Sequence, residues 1–133
     1  MKATELRIGN WVRWNYEESS EGNVYPVEYG YELDDIKNNP NIVKPIPLTE
    51  EWLIRFGFEL DKEYDEGGLV DYRLTLMKNS LEFVSFWNSE ELNGINQPQT
   101  RVDVKHVHQL QNLYFALTGE ELQTDETNQI VNL

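Results

Sequence analysis

Cysteine is absent from the 133 residues, which removes disulfides, thiolate nucleophiles and cysteine-ligated zinc or iron-sulfur sites. Histidine occurs only at His106 and His108, so every metal or general-base scheme must run through one short stretch. No apolar run approaches the roughly 18 residues that a membrane-spanning helix needs. The opening residues Met1 to Arg7 hold no apolar core of a secretory signal. Together these features predict a cytoplasmic protein with no membrane partner. Positive charge is scarce as well: 11 Lys and Arg stand against 24 Asp and Glu, a net charge of -13. Binding to nucleic-acid phosphates normally rests on many Lys and Arg contacts, so no direct nucleic-acid partner is expected.

The acid that is present is unevenly spread. Residues 17–36 carry -7 with no basic residue among them, and residues 48–66 carry -5. The segments with the clearest structural pattern are near neutral, which predicts a packed scaffold decorated by acidic loops. A length of 133 suits one domain.

In Trp11-Val12-Arg13-Trp14-Asn15-Tyr16 the residues Val12, Trp14 and Tyr16 alternate with polar neighbours, as in a half-buried strand. Gly9-Asn10 before it suits a turn, and residues 17–23 suit a hairpin connection. Val24 to Ile36 is rich in β-formers and reads as a second extended stretch broken by Pro26 and Gly30. Asn38-Asn39-Pro40 turns the chain, and Val43 sits in a short returning strand. Residues 5–47 therefore read as a β-meander or partial barrel.

Thr49 can cap a helix, Glu50 and Glu51 suit its first turn, and Gly57 can end it. The acidic stretch 59–68 reads as a loop. Val70, Tyr72, Leu74 and Leu76 alternate as one strand, and Lys78-Asn79-Ser80 turns into a second at 81–87 that is apolar on both faces and hence central. Residues 88–100 read as a long loop before a third strand at Val102 and Val104. Val107, Leu110, Leu113, Tyr114 and Leu117 recur at helical spacing, with Gly119 as the terminating cap. The expected architecture is α+β: the N-terminal meander, a short helix, and a three-stranded antiparallel sheet packed by the C-terminal helix. Residues 1–122 form the domain, divided into subregions 5–47 and 48–122, and 123–133 read as a mobile tail.

Three strings, Leu6-Arg7-Ile8-Gly9-Asn10-Trp11-Val12, Pro45-Ile46-Pro47-Leu48-Thr49-Glu50-Glu51-Trp52-Leu53 with Phe56-Gly57-Phe58, and the run from Val107 to Leu122, resemble a family of small uncharacterised proteins of bacterial genomes and prophages. The resemblance implies a prophage or mobile-element setting. It carries no activity, cofactor or substrate. The acidic stretches 17–36 and 59–66 lie outside the matching strings.

Chemistry is thinly signalled. His106 and His108 with Asp103 have the residue types of a zinc site, with both rings on one side if the segment is extended, but the helix is expected to begin about here, and at helical spacing the two rings diverge by roughly 200°. Gly67-Gly68 lacks the Lys and Ser or Thr of a phosphate loop, and Ser19, Ser20, Ser80, Ser85 and Ser89 lack a nucleophile-elbow context. The reading is therefore not an enzyme, with no catalytic residue, cofactor or metal; a small enzyme using His106 and His108 is the alternative that a bound ion would establish. Aromatics are abundant, with four Trp, seven Tyr and five Phe. Trp11, Trp14, Tyr16, Tyr29 and Tyr31 crowd the N-terminal region. Such rings are buried between sheets or across a homodimer, or serve as anchors for another macromolecule. The expected function is a non-catalytic protein-protein interaction module, these five residues meeting a basic partner beside the acidic segment. The second expectation is an acidic inhibitor that imitates nucleic acid, which needs carboxylates in rows on rigid elements.

Overall fold

The computed structural model describes residues 1–15, 23–65, 68–76, 81–88, 91–98 and 100–124. It is an α+β fold with two antiparallel sheets and three α-helices among the described residues. The first sheet contains β1 (Trp11–Trp14), β2 (Val24–Pro26) and β3 (Val43–Lys44) in the order β2-β1-β3. In β1 the expected alternation appears directly, with Val12 and Trp14 buried and Trp11 and Arg13 half-buried.

The extended reading of 24–36 is corrected. The strand ends at Pro26, and helix α1 (Gly30–Asn38) takes over. Its start is made by Glu32, whose Oε1 accepts hydrogen bonds from the backbone N–H groups of Glu28 and Tyr29 at 2.9 Å each. Those bonds satisfy donors that a helix otherwise leaves orphaned, and they outweigh the strand preference of Tyr29 and Tyr31. Ile36 is then carried into the core with 0% exposure. Because α1 lies between β2 and β3, the N-terminal part is no simple meander.

Helix α2 (Glu50–Arg55) begins where expected, with Thr49 Oγ1 accepting from the Trp52 N–H at 3.3 Å. Gly57, at φ +87°, supplies the left-handed residue that turns the chain out of it. The second sheet has five strands, and the expected three is corrected. It runs β4-β5-β6-β7-β8 in sequence order, with β4 (Phe58–Asp65), β5 (Gly68–Leu76), β6 (Leu81–Asn88), β7 (Glu91–Gln97) and β8 (Val102–Val104). The stretches 59–65 and 91–97, read as loops for their polarity, are strands. β6 is central, as its apolarity on both faces demands. The turn expected at 78–80, the connection at 17–22 and the tail from 125 onward lie outside the described residues.

Helix α3 (Val107–Thr118) ends at Gly119, which adopts φ +76° and donates its N–H to the Phe115 carbonyl at 2.8 Å. Its buried positions are Val107, His108, Leu110, Gln111 and Tyr114. Leu117, expected in the stripe, is exposed, and the polar Gln111 is inside. Two buried apolar clusters result. Leu6, Val12, Trp14, Val27, Ile36 and Val43 form the smaller one. The larger gathers residues between Ile46 and Leu122, including Trp52, Phe83, Ile95, Leu110 and Tyr114.

Candidate functional site

The three strings singled out in the sequence meet in space, and their meeting is structural. Gln111, buried on α3, accepts the Trp11 N–H at Oε1 (2.8 Å) and donates from Nε2 to the Gly9 carbonyl (2.9 Å). Asn10, with 0% exposure, donates from Nδ2 to Asn112 Oδ1 at 2.9 Å and accepts the Arg7 N–H at 2.6 Å. The Arg7 guanidinium lies 4.4 Å from the centre of the Phe115 ring and pairs with Glu121 at 2.6 Å. The middle string joins through the backbone: Val107 donates to the Ile46 carbonyl and Leu48 to that of Lys105, both at 2.9 Å. These polar residues satisfy backbone groups where the segment leading into β1 meets α3. That role accounts for their burial without any chemistry on a substrate.

The histidines behave differently from expectation. His106 is the residue before α3 and is extended, at φ -130° and ψ 152°, so the divergence of a helical pair does not apply to it. Its ring and that of His108 lie 6.0 Å apart, inclined at 26°. His108 is buried, and its Nδ1 has no hydrogen-bond partner among the described residues. Burial pushes its pKa below the ordinary value; the neighbouring His106 and the N-terminal amine act in the same direction, and Glu5 opposes them. Asp103 does not join the pair: its Oδ1 accepts from Asn96 Nδ2 at 2.8 Å on the surface of the sheet. Among the described residues no group of three His, Asp or Glu side chains is placed to hold a metal ion.

The five aromatic residues expected to meet a partner separate into three kinds. Trp14 is in the core at 4% exposure, with its indole N–H donating to the Tyr25 carbonyl at 3.1 Å. Placing it among the outer anchors is corrected, because the strand alternation that puts Arg13 outward puts Trp14 inward. Trp11 is half-buried and lies edge-on to Trp52 at 5.5 Å, with the Arg55 guanidinium over both rings. Tyr16 lies outside the described residues. Tyr29 and Tyr31 are exposed at 54% and 63%, and their rings stack at 5.4 Å and 10°. Tyr25, counted in the sequence only as a β-former, is exposed at 60%.

Beside these tyrosines a groove of about 390 Å³ opens between the first sheet and the start of α1, lined by Trp14, Asn23, Tyr25, Pro26, Glu28 and Glu32. Neither glutamate is engaged by a cation among the described residues. Within residues 28–38, Glu28, Glu32, Asp34 and Asp35 stand against Lys37 alone. The sequence signalled this site only through the coincidence of tyrosines and acid in 17–36; the groove depends on the unforeseen helix start, which brings Glu28 and Glu32 to line it with Tyr25 and Pro26 of β2.

Among the described residues no helix is long and apolar enough to cross a membrane. The chain matches no family model, no curated protein and no solved structure.

Proposed function

We propose that this chain is a non-catalytic interaction module that engages a basic partner protein through the surface formed by Tyr25, Tyr29 and Tyr31 with Glu28 and Glu32. The observation that carries the reading is the exposed, mutually stacked Tyr29–Tyr31 pair next to an acidic groove. Large rings left in water are costly, and they become binding anchors when a partner desolvates them. Carboxylates around them steer a positively charged surface and select against acidic ones. A bacterial or prophage cytoplasmic setting accompanies the reading, because the three strings resemble proteins of that origin and a cysteine-free chain draws no stability from an oxidising compartment. Affinity capture from bacterial lysate tests it. The wild-type chain should retain partners that the Tyr29→Ala/Tyr31→Ala variant loses, and identical partner sets would count against the proposal.

A second reading, the nucleic-acid-mimicking inhibitor, is favoured by one placement. Glu59, Asp61 and Glu63 occupy alternate positions of β4, an edge strand, where a loop was expected. Acidic residues at alternate positions of a strand are the sequence pattern that imitation of a phosphate backbone requires. Competition against duplex DNA for DNA-binding proteins of the same lysate separates the two readings, since only the mimic releases them from DNA.

A further inference from the structure

We infer that the groove beside α1 is a receptor for a single arginine side chain, presented on an extended segment of the basic partner; the inference rests on the interaction reading and names what that surface grips. Three observations converge on it. First, the groove is anionic and prepared. Glu32 is fixed by the two backbone N–H groups that Oε1 accepts, which leaves Oε2 without a partner among the described residues, and Glu28 stands on the same rim. Second, the remaining lining is partly apolar: Trp14, Asn23, Tyr25 and Pro26 complete it, and Tyr25, not the core residue Trp14, is the ring exposed for a ligand to cover. A guanidinium, planar and weakly hydrated, suits such walls better than a compact, strongly hydrated ammonium.

Third, the fold already holds two arginines against aromatic rings, and Arg7 with a carboxylate as well. Arg7 lies against the Phe115 ring while pairing with Glu121, and Arg55 lies 4.0 Å over the Trp52 ring. The groove offers the matching parts, aromatic faces and carboxylates, with no basic side chain of its own among its lining residues. Its volume, about 390 Å³, is at the small end of ligand pockets. That is enough for one long side chain and its flanking backbone, and too little for a folded element.

Amide-resolved NMR titration of the full chain with acetyl-Gly-Arg-Gly-amide tests the assignment, with the lysine and the neutral citrulline tripeptides in parallel. The arginine peptide should shift the Trp14 indole N–H and the amides of residues 23–28. The lysine peptide should bind several-fold more weakly, and citrulline should leave the spectrum unmoved. Glu28→Gln/Glu32→Gln should weaken arginine binding by about tenfold. The amide oxygen introduced by Glu32→Gln still accepts the N–H groups that start the helix, and Glu28→Gln alone, at an exposed position, repeats the direction without touching that start. Equal response to citrulline, shifts confined to other residues, or no shift at millimolar peptide would overturn the assignment. Failure here is distinct from failure of the interaction reading. Partner capture lost in Tyr29→Ala/Tyr31→Ala but retained in Glu28→Gln/Glu32→Gln removes the groove and keeps the module; capture indifferent to both removes the module.

Discussion

Replacing Gln111 by methionine keeps the length and volume of the side chain and deletes its polar atoms, and the surrounding hydrogen bonds set the cost. Two backbone groups lose their partner: the Trp11 N–H, now donating at 2.8 Å, and the Gly9 carbonyl, now accepting at 2.9 Å. Asn10 keeps its bond to Asn112, so the loss is confined to those two. An orphaned buried polar group costs about 1–3 kcal/mol; both groups here are only partly buried, which puts the pair at the lower end, about 2 kcal/mol. Against a typical total of about 5–15 kcal/mol this is a large fraction, equivalent to a fall in Tm of roughly 4 °C for each kcal/mol at this chain length. The reference is Gln109→Met. Its side chain also accepts two backbone N–H groups, those of Lys105 and His106 at 3.1 Å, but on the exposed side of the helix start. Water replaces it there, at a cost near about 1 kcal/mol. Urea unfolding followed by circular dichroism, with the slope checked for constancy, measures both. A Gln111→Met variant within about 0.5 kcal/mol of wild type, a change typical of inert surface positions, or no worse than Gln109→Met, would refute the claim that this amide clasps the start of β1 to α3.

Trp14→Ala should destabilise the fold by about 3–5 kcal/mol as a core truncation, whereas Tyr31→Ala should stay within about 0.5 kcal/mol; thermal unfolding of the pair checks which ring is structural and which is free. His108 has its pKa held below the ordinary 6.5 by burial. The unfolded chain therefore takes the proton first, so this residue's contribution is complete above pH 6.5 and is lost as pH falls from there to the folded value. Stability measured from about pH 7.5 to about pH 5.5 should decline, and His108→Gln should flatten that part of the curve; an unchanged slope in the variant would show that another group is responsible. Gly119→Ala places a side chain at φ +76° and should cost about 1–2 kcal/mol by the left-handed strain alone, read as a shift in the urea midpoint without a change in fold.

What the sequence showed of the fold was whatever is written in local periodicity. The inward Val12 and Trp14, the cap at Thr49, the central β6 and the glycine end of α3 are each decided by residues close to one another in the chain. What it concealed is decided at a distance. Residues 91–97, Glu-Leu-Asn-Gly-Ile-Asn-Gln, look like a loop because Asn and Gly disfavour strands, yet they pair between β6 and β8, and Ile95 is buried from there. Gln111 occupies a core position that hydrophobic periodicity assigns to an apolar residue, since its partners are about 100 positions away. The start of α1 was hidden because one acceptor, Glu32, outweighs the β preference of two tyrosines. The groove inherits that concealment: tyrosines and acid were visible together, but not the helix start that brings Glu28 and Glu32 to one groove with Tyr25.

The joint between residues 7–11 and 107–121 has a temporal side. The N-terminal cluster can bury Leu6, Val12 and Ile36 from within the first 43 residues, but its seam at Gly9 and Trp11 stays open until Gln111 has been made. A growing chain leaving the ribosome must synthesise the entire five-stranded sheet before the clasp that seals its opening segment exists. Sealing of the opening segment is thereby tied to the synthesis of α3, and a polypeptide cut short ahead of α3 leaves that segment unfastened.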